Sequence, residues 1–138
     1  MIGDIPDRHS NEESRYFEWI AGLPCIVSGA KPVQVAHVRG ADSWWGKELP
    51  GMARKPSIPY VVPLNYKLHM EQERGNWRFW KRNGMDERPA QDSILFHCWW
   101  LWRTYQVGDA TTSSRQSRAR SQRIAERYLT RMRALRQN

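Results

Sequence analysis

Two short segments hold residues that could do chemistry together. His37 ends an apolar alternating run, Val33 to Val38, and His69 stands four residues before Glu73 in a stretch of helical character. Positions i and i+4 share a helix face, so His69 and Glu73 can converge on one ion. Imidazole and carboxylate together suit Mg²⁺, Mn²⁺ or a similar first-row ion. Two donors make a weak site, and the order strand, loop, strand, helix would bring His37 across as a third. Asp42, in the intervening loop, is a further candidate ligand. Arg39, beside His37, could hold a phosphate. Each residue also has an ordinary reading. His69 and Glu73 are spaced like any exposed helical pair, the commoner outcome on spacing alone; His37 could be a half-buried strand histidine with a satisfied hydrogen bond.

The elements that must position these residues follow from local signals. Residues 1–13 are polar and read as a loose N-terminal segment. Ser14 is a plausible cap for a short helix to Ala21, with Tyr16, Phe17 and Ile20 on one face, stopped by Gly22 and Pro24. Cys25 to Ser28 is a brief apolar run. Val33 to Val38 alternates like a strand. Residues 39–59 hold three glycines and three prolines, so a long loop is expected there. Tyr60 to Leu64 reads as a second strand with Pro63 at its end, where a missing N–H is tolerable. Asn65 is a good N-cap for a helix from Tyr66 to about Glu73. Trp77 to Arg82 follows as a short helix, closed by Asn83-Gly84. Pro89 to Tyr105 predicts an aromatic helix with Ile94, Cys98, Leu101, Trp102 and Tyr105 on one stripe. Val107 to Ser114 is small and polar and reads as a linker. A last helix is expected from about Ser117 to Arg136, with an apolar stripe of Ala125, Tyr128, Met132 and Leu135.

The net charge of +8 is unevenly spread. Residues 110–138 hold eight arginines against Glu126 alone, whereas residues 1–109 are nearly neutral. Arg120, Arg123, Arg127 and Arg131 line one helical stripe, with Arg115 and Arg118 ahead of them. Such asymmetry points to a polyanion, with nucleic acid ahead of membrane. The contacts available are phosphate contacts, which fall steeply with salt and read little sequence. The same helix could instead pair with a second copy as a homodimer. Trp44-Trp45 could stack on unpaired bases, but a core plug under the loop is the usual fate of such rings. No stretch of about 18 apolar residues is present, which excludes a transmembrane helix. The first residues lack a basic segment followed by an apolar one, so no secretion signal is expected. Cys25 and Cys98 form no CxxC pair, which argues against a zinc ribbon and for a reduced, cytoplasmic protein.

The stretch from Leu23 to Asp86 resembles the HNH endonucleases of phages and prophages. The matching pieces are LPCIVSG, VAHVRGAD, KPS, VVPLNYKLHMEQE and FWKRNGMD. Their order and rough spacing agree with family members, the suggested nearest being the recombination nucleases of the Ref and Rap (NinG) sort. The resemblance implies an α+β fold with a ββα-metal core over residues 14–109. Added helices and the linker and Arg-rich helix of residues 110–138 complete it. It implies metal-dependent cleavage of DNA in a bacterial host cell, with Mg²⁺ or Mn²⁺ as cofactor and no structural zinc. His37 stands either as the general base or as the adjacent metal ligand; His69 matches the helix ligand, and Glu73 sits where relatives often have a second histidine. Arg39 and Lys55 are the residues to steady the phosphate. The chain also departs from the pattern: Ala36 and Val38 flank His37, and Leu68 precedes His69, where relatives often carry paired histidines. That departure leaves room for a catalytically decayed member that binds DNA or a partner protein, such as a host defence complex, without cleaving.

Overall fold

The computed structural model describes residues 11–39, 58–85, 93–111 and 115–137. The architecture is α+β: a two-stranded antiparallel sheet within a helix-rich body. In chain order the elements are α1 (Asn11–Ala21), β1 (Gln34–His37), β2 (Val61–Leu64), α2 (Tyr66–Gly75), α3 (Trp77–Arg82), α4 (Ile94–Thr111) and α5 (Arg115–Arg136).

β1 and β2 pair with Val35 opposite Pro63 and His37 opposite Val61. Pro63 lies inside β2 rather than at its end, and the reason is geometric. Its carbonyl accepts from the Ile26 N–H at 2.9 Å, so its backbone polar groups point away from β1. Its missing donor therefore faces the outer edge, where no ladder bond is lost. Cys25 to Ser28, the brief apolar run, forms with Gly29 the turn that covers this edge, with the Cys25 N–H bonded to the Ala30 carbonyl. β2 is buried along its whole length. The free edge of β1 is met by α2, where Gln72 is buried and its Nε2 donates to the His37 carbonyl at 3.0 Å.

α2 begins where its cap predicts. The Asn65 side chain accepts from the Leu68 N–H at 2.9 Å, and its amide donates to Ser28 Oγ. α1 starts earlier than its sequence signal, with Glu12 and Glu13 in the first turn, where carboxylates suit the positive end of the helix dipole. Its Tyr16, Trp19 and Ile20 are fully buried. Tyr16 meets Trp102 edge-on at 4.7 Å between ring centres, and Trp19 meets Tyr105 at 5.6 Å. The predicted aromatic stripe of α4 is the buried one: Ile94, Cys98, Leu101, Trp102 and Tyr105 all face the core. Side chains of this size contribute about 1.5–3 kcal/mol each when fully buried, so few elements suffice to close the domain.

α4 continues through Val107 to Thr111, where a linker was expected. The small residues there admit a neighbour. A Cβ on Gly108 would stand 2.6 Å from the Ser121 Cβ, so α4 and α5 touch at this point. α5 buries Ser117, Ser121, Ala125 and Leu129, an i, i+4 stripe that shares Ala125 with the expected one, while Tyr128 packs half-buried against the core. Leu135, placed on the apolar stripe by sequence, is exposed. Ser121 Oγ receives the Trp19 indole N–H at 2.8 Å, and Gln122 Nε2 donates to the Trp19 carbonyl. The arginine-rich helix is thereby part of the core.

Candidate metal and nucleic-acid site

α2 presents His69 and Glu73 one turn apart, and β1 supplies what orients them. Gln34 stands at the start of β1, and its Oε1 lies 2.7 Å from His69 Nδ1. An amide oxygen can only accept, so Nδ1 carries the proton. In the neutral form of the ring the lone pair is then on Nε2, the nitrogen 3.5 Å from Glu73 Oε2. An outer acceptor on one ring nitrogen that frees the other is the usual arrangement behind a metal-binding histidine. The other carboxylate oxygen is held separately: Arg39 donates to Glu73 Oε1 at 2.6 Å. His69, Glu73, Gln34 and Arg39 thus form one contiguous polar cluster at the open side of β1.

The donor chemistry fits a divalent ion. Metal bonds of about 2.1 Å place neighbouring ligands roughly 3.0–3.4 Å apart in octahedral or tetrahedral geometry. The observed 3.5 Å between nitrogen and oxygen is close to that spacing. Arg39 is the feature that competes, because it already occupies half of the carboxylate. The pair is exposed on both sides, 62% for Arg39 and 42% for Glu73, and exposed pairs of this kind hold by about 0.2–1 kcal/mol. Such a contact can yield to a ligand.

His37 is placed differently from the other two. Strand alternation sets its side chain on the face opposite Gln34, and its ring packs edge-on against Phe17 of α1 at 5.9 Å. What β1 offers α2 at this position is the His37 carbonyl. Among the described residues no group of three His, Cys, Asp or Glu side chains stands close enough to share an ion, so His37, His69 and Glu73 are not gathered into one ligand set. Asp42, Trp44, Trp45 and Lys55 lie outside the described residues.

Sequence reasoning passed over Gln34 and Gln72, the two residues that fasten β1 to α2. A signal existed for each. Gln34 is a polar residue opening an apolar strand, and Gln72 lies three positions after His69 on the same helix. His97, which showed no partner in the sequence, is buried between α4 and α5 with Nδ1 2.6 Å from the Tyr128 hydroxyl. Burial, and then the nearby Arg136 charge, lowers its pKa from 6.5 to about 3. Both cysteines are free and buried, and burial raises the Cys98 thiol well above its ordinary range.

The arginines of α5 divide into two groups. Arg118, Arg120, Arg123, Arg127 and Arg131 are exposed. Arg133 and Arg136 are instead anchors: the Arg133 guanidinium packs over Gly29, and Arg136 donates to the Ile26 carbonyl at 2.9 Å. The Arg115 side chain lies outside the described residues. No described helix is long and apolar enough to cross a membrane.

No family model, curated protein or solved structure matches this chain.

Proposed function

We propose that the protein is a metal-dependent endonuclease of the HNH, ββα-metal kind that cleaves DNA phosphodiester bonds, in a phage or prophage setting. The observation that carries this reading is the His69/Glu73 pair with its ring proton fixed by Gln34, on the helix that follows two antiparallel strands. His69 Nε2 and Glu73 Oε2 would hold Mg²⁺ or Mn²⁺, the remaining positions going to water and substrate oxygens as is usual for such ions. The ion would stabilise charge developing on the phosphate and on the leaving 3′ oxygen. Gln34 keeps the imidazole in its ligating tautomer. Arg39 holds Glu73 in place and offers the rest of its guanidinium edge to a phosphate. His37 would be the residue to take a proton from the attacking water, but its ring lies on the strand face away from this pair, against Phe17, so it reaches that water only if the end of β1 turns it toward the ion. The exposed arginine face of α5 supplies contacts to the DNA backbone.

A second reading is favoured by one specific observation. The 2.6 Å contact between Arg39 and Glu73 satisfies the carboxylate without an ion, as a non-cleaving DNA- or protein-binding descendant of the same fold would.

The test is plasmid nicking in Mn²⁺, with and without chelator, alongside calorimetric titration of the metal. Under the first reading His69→Ala abolishes both binding and nicking. His37→Ala keeps the metal but slows nicking by about 10²–10⁴-fold. If the unchanged protein binds DNA yet takes up no Mn²⁺ and leaves plasmid intact, the second reading replaces the first.

A further inference from the structure

A cleft of about 420 Å³ opens between α4 and α5, away from the His69/Glu73 cluster, lined among others by Trp99, Trp100, Arg103, Val107, Arg120 and Ile124. Its walls are apolar yet reachable: Val107 is 59% and Ile124 44% exposed, while Trp99 and Trp100 are half-buried. Trp100 is braced from beneath by Tyr128, stacked at 3.7 Å with the rings 9° from parallel, which presents the indole as a rigid platform. At the rim stand Arg103 and Arg120, both exposed and in no ion pair with a described residue. The cation row continues along the same helix through Arg123, Arg127 and Arg131.

Flat apolar walls and a guanidinium rim make separate demands on an occupant. The walls want an uncharged planar face; the rim wants anions spaced along a chain. Duplex DNA meets only the second demand, because its bases are stacked inside the helix. An unpaired nucleotide meets both, with its base against the indoles and its phosphates at the arginines. We propose that the α4–α5 cleft binds unpaired bases of single-stranded DNA, and that the arginine face of α5 carries the adjoining backbone. This rests on the nucleic-acid part of the reading above and deepens it by naming the form of the substrate: DNA with an unpaired stretch, such as a strand end, gap or branch. It does not depend on cleavage.

The experiment is therefore done with the full chain in chelator, where no metal chemistry contributes. Fluorescence anisotropy compares a labelled oligothymidylate with a duplex of equal length, for the unchanged protein and for Trp99→Ala and Ile124→Glu. Ile124 is exposed, so the glutamate variant tests the cleft without loading the core, and thermal melting confirms that it folds. The expected result is single-strand binding at least tenfold tighter than duplex binding, weakened roughly tenfold by either variant, with duplex binding by Trp99→Ala unchanged. Equal affinity for the two forms, or single-strand binding indifferent to both variants, overturns the proposal while leaving the arginine face as a general phosphate binder. Competition by polyglutamate as effective as that by oligothymidylate also overturns it, in favour of an acidic polypeptide. Single-strand binding as expected, with no plasmid nicking by the unchanged protein in Mn²⁺, would sink the nuclease reading alone.

Discussion

Replacing Gln34 by Leu removes the acceptor that faces His69 Nδ1. The bond it breaks is short, 2.7 Å, and solvent-exposed. A neutral hydrogen bond of this kind contributes about 0.5–1.5 kcal/mol net. That energy biases the ring toward the Nδ1–H tautomer by a factor of about 2–12. Only that tautomer turns the Nε2 lone pair toward Glu73. Loss of the bias alone should weaken Mn²⁺ binding by about 2–12-fold, and loss of ring orientation adds to it, toward the 10–100-fold typical of such outer partners. Gln34→Glu should act oppositely, since a charged acceptor makes a bond about twice as strong. Ring-nitrogen NMR shifts of His69 in the neutral protein report the tautomer without any metal, and calorimetry reports the affinity. The reasoning is refuted if His69 carries its proton on Nε2 in the unchanged protein, or if Gln34→Leu alters neither readout. Because Gln34 is exposed, unfolding in urea should shift by no more than the hydrogen bond itself.

Two further outcomes concern the core that holds the site. His97 has its pKa lowered from 6.5 to about 3, so the folded state keeps it neutral while the unfolded state takes up a proton. Stability from this group is fully present above pH 6.5 and is lost as the pH falls from there toward 3, by an amount on the order of a few kcal/mol; His97→Phe should flatten unfolding curves measured across that window. Ser121→Ala leaves the buried Trp19 indole N–H without its 2.8 Å acceptor and should lower the unfolding free energy by about 1–3 kcal/mol, seen as a shifted urea midpoint at constant slope, whereas Thr130→Ala on the exposed side of α5 should change little.

The parts of the fold that were legible in the sequence are those fixed by neighbours in the chain. Asn65 caps α2 through a bond three residues away, and Asn83-Gly84 closes α3 with Gly84 at φ 81°; both signals are local. The strand at β1 and the aromatic stripe of α4 also survive; burial follows the period of the stripe, whereas along the run that contains β1 the buried residues are Ala36 and Val38, with Val35 half-buried and Gln34 exposed. What failed depends on distant chain. Val107 to Thr111 looks like a linker by composition, yet its small residues are helical because α5 packs against Gly108. The buried stripe of α5 begins with serines, which count as polar until Trp19 supplies the partner that lets Ser121 go inside. At the site, the His69/Glu73 pair was readable from helical spacing. Its orientation was not, since Gln34 comes from 35 residues away. The His37 ring meets Phe17 of α1, a contact that the strand's own pattern does not mention.

The arginine-rich helix shows why a charge count cannot stand in for a boundary. Reading residues 110–138 as a detachable basic tail suggests deleting them to separate DNA binding from chemistry. In the folded chain that deletion would remove Ala125 and Leu129 from the core, strip the acceptor from Trp19, and release the Arg136 anchor at Ile26. Buried apolar side chains of this size and a lost buried hydrogen bond are each worth about 1–3 kcal/mol, against a total stability of about 5–15 kcal/mol for a domain. Truncation would therefore abolish every activity by unfolding, and would say nothing about which residues touch DNA. The charge must be removed in place instead. Arg123, Arg127 and Arg131 are exposed, so substitution there changes the field and leaves the packing. If they line a phosphate backbone, each lost contact should lower the slope of log affinity against log salt by about 0.7–0.9, while metal uptake at His69 and Glu73 stays unchanged.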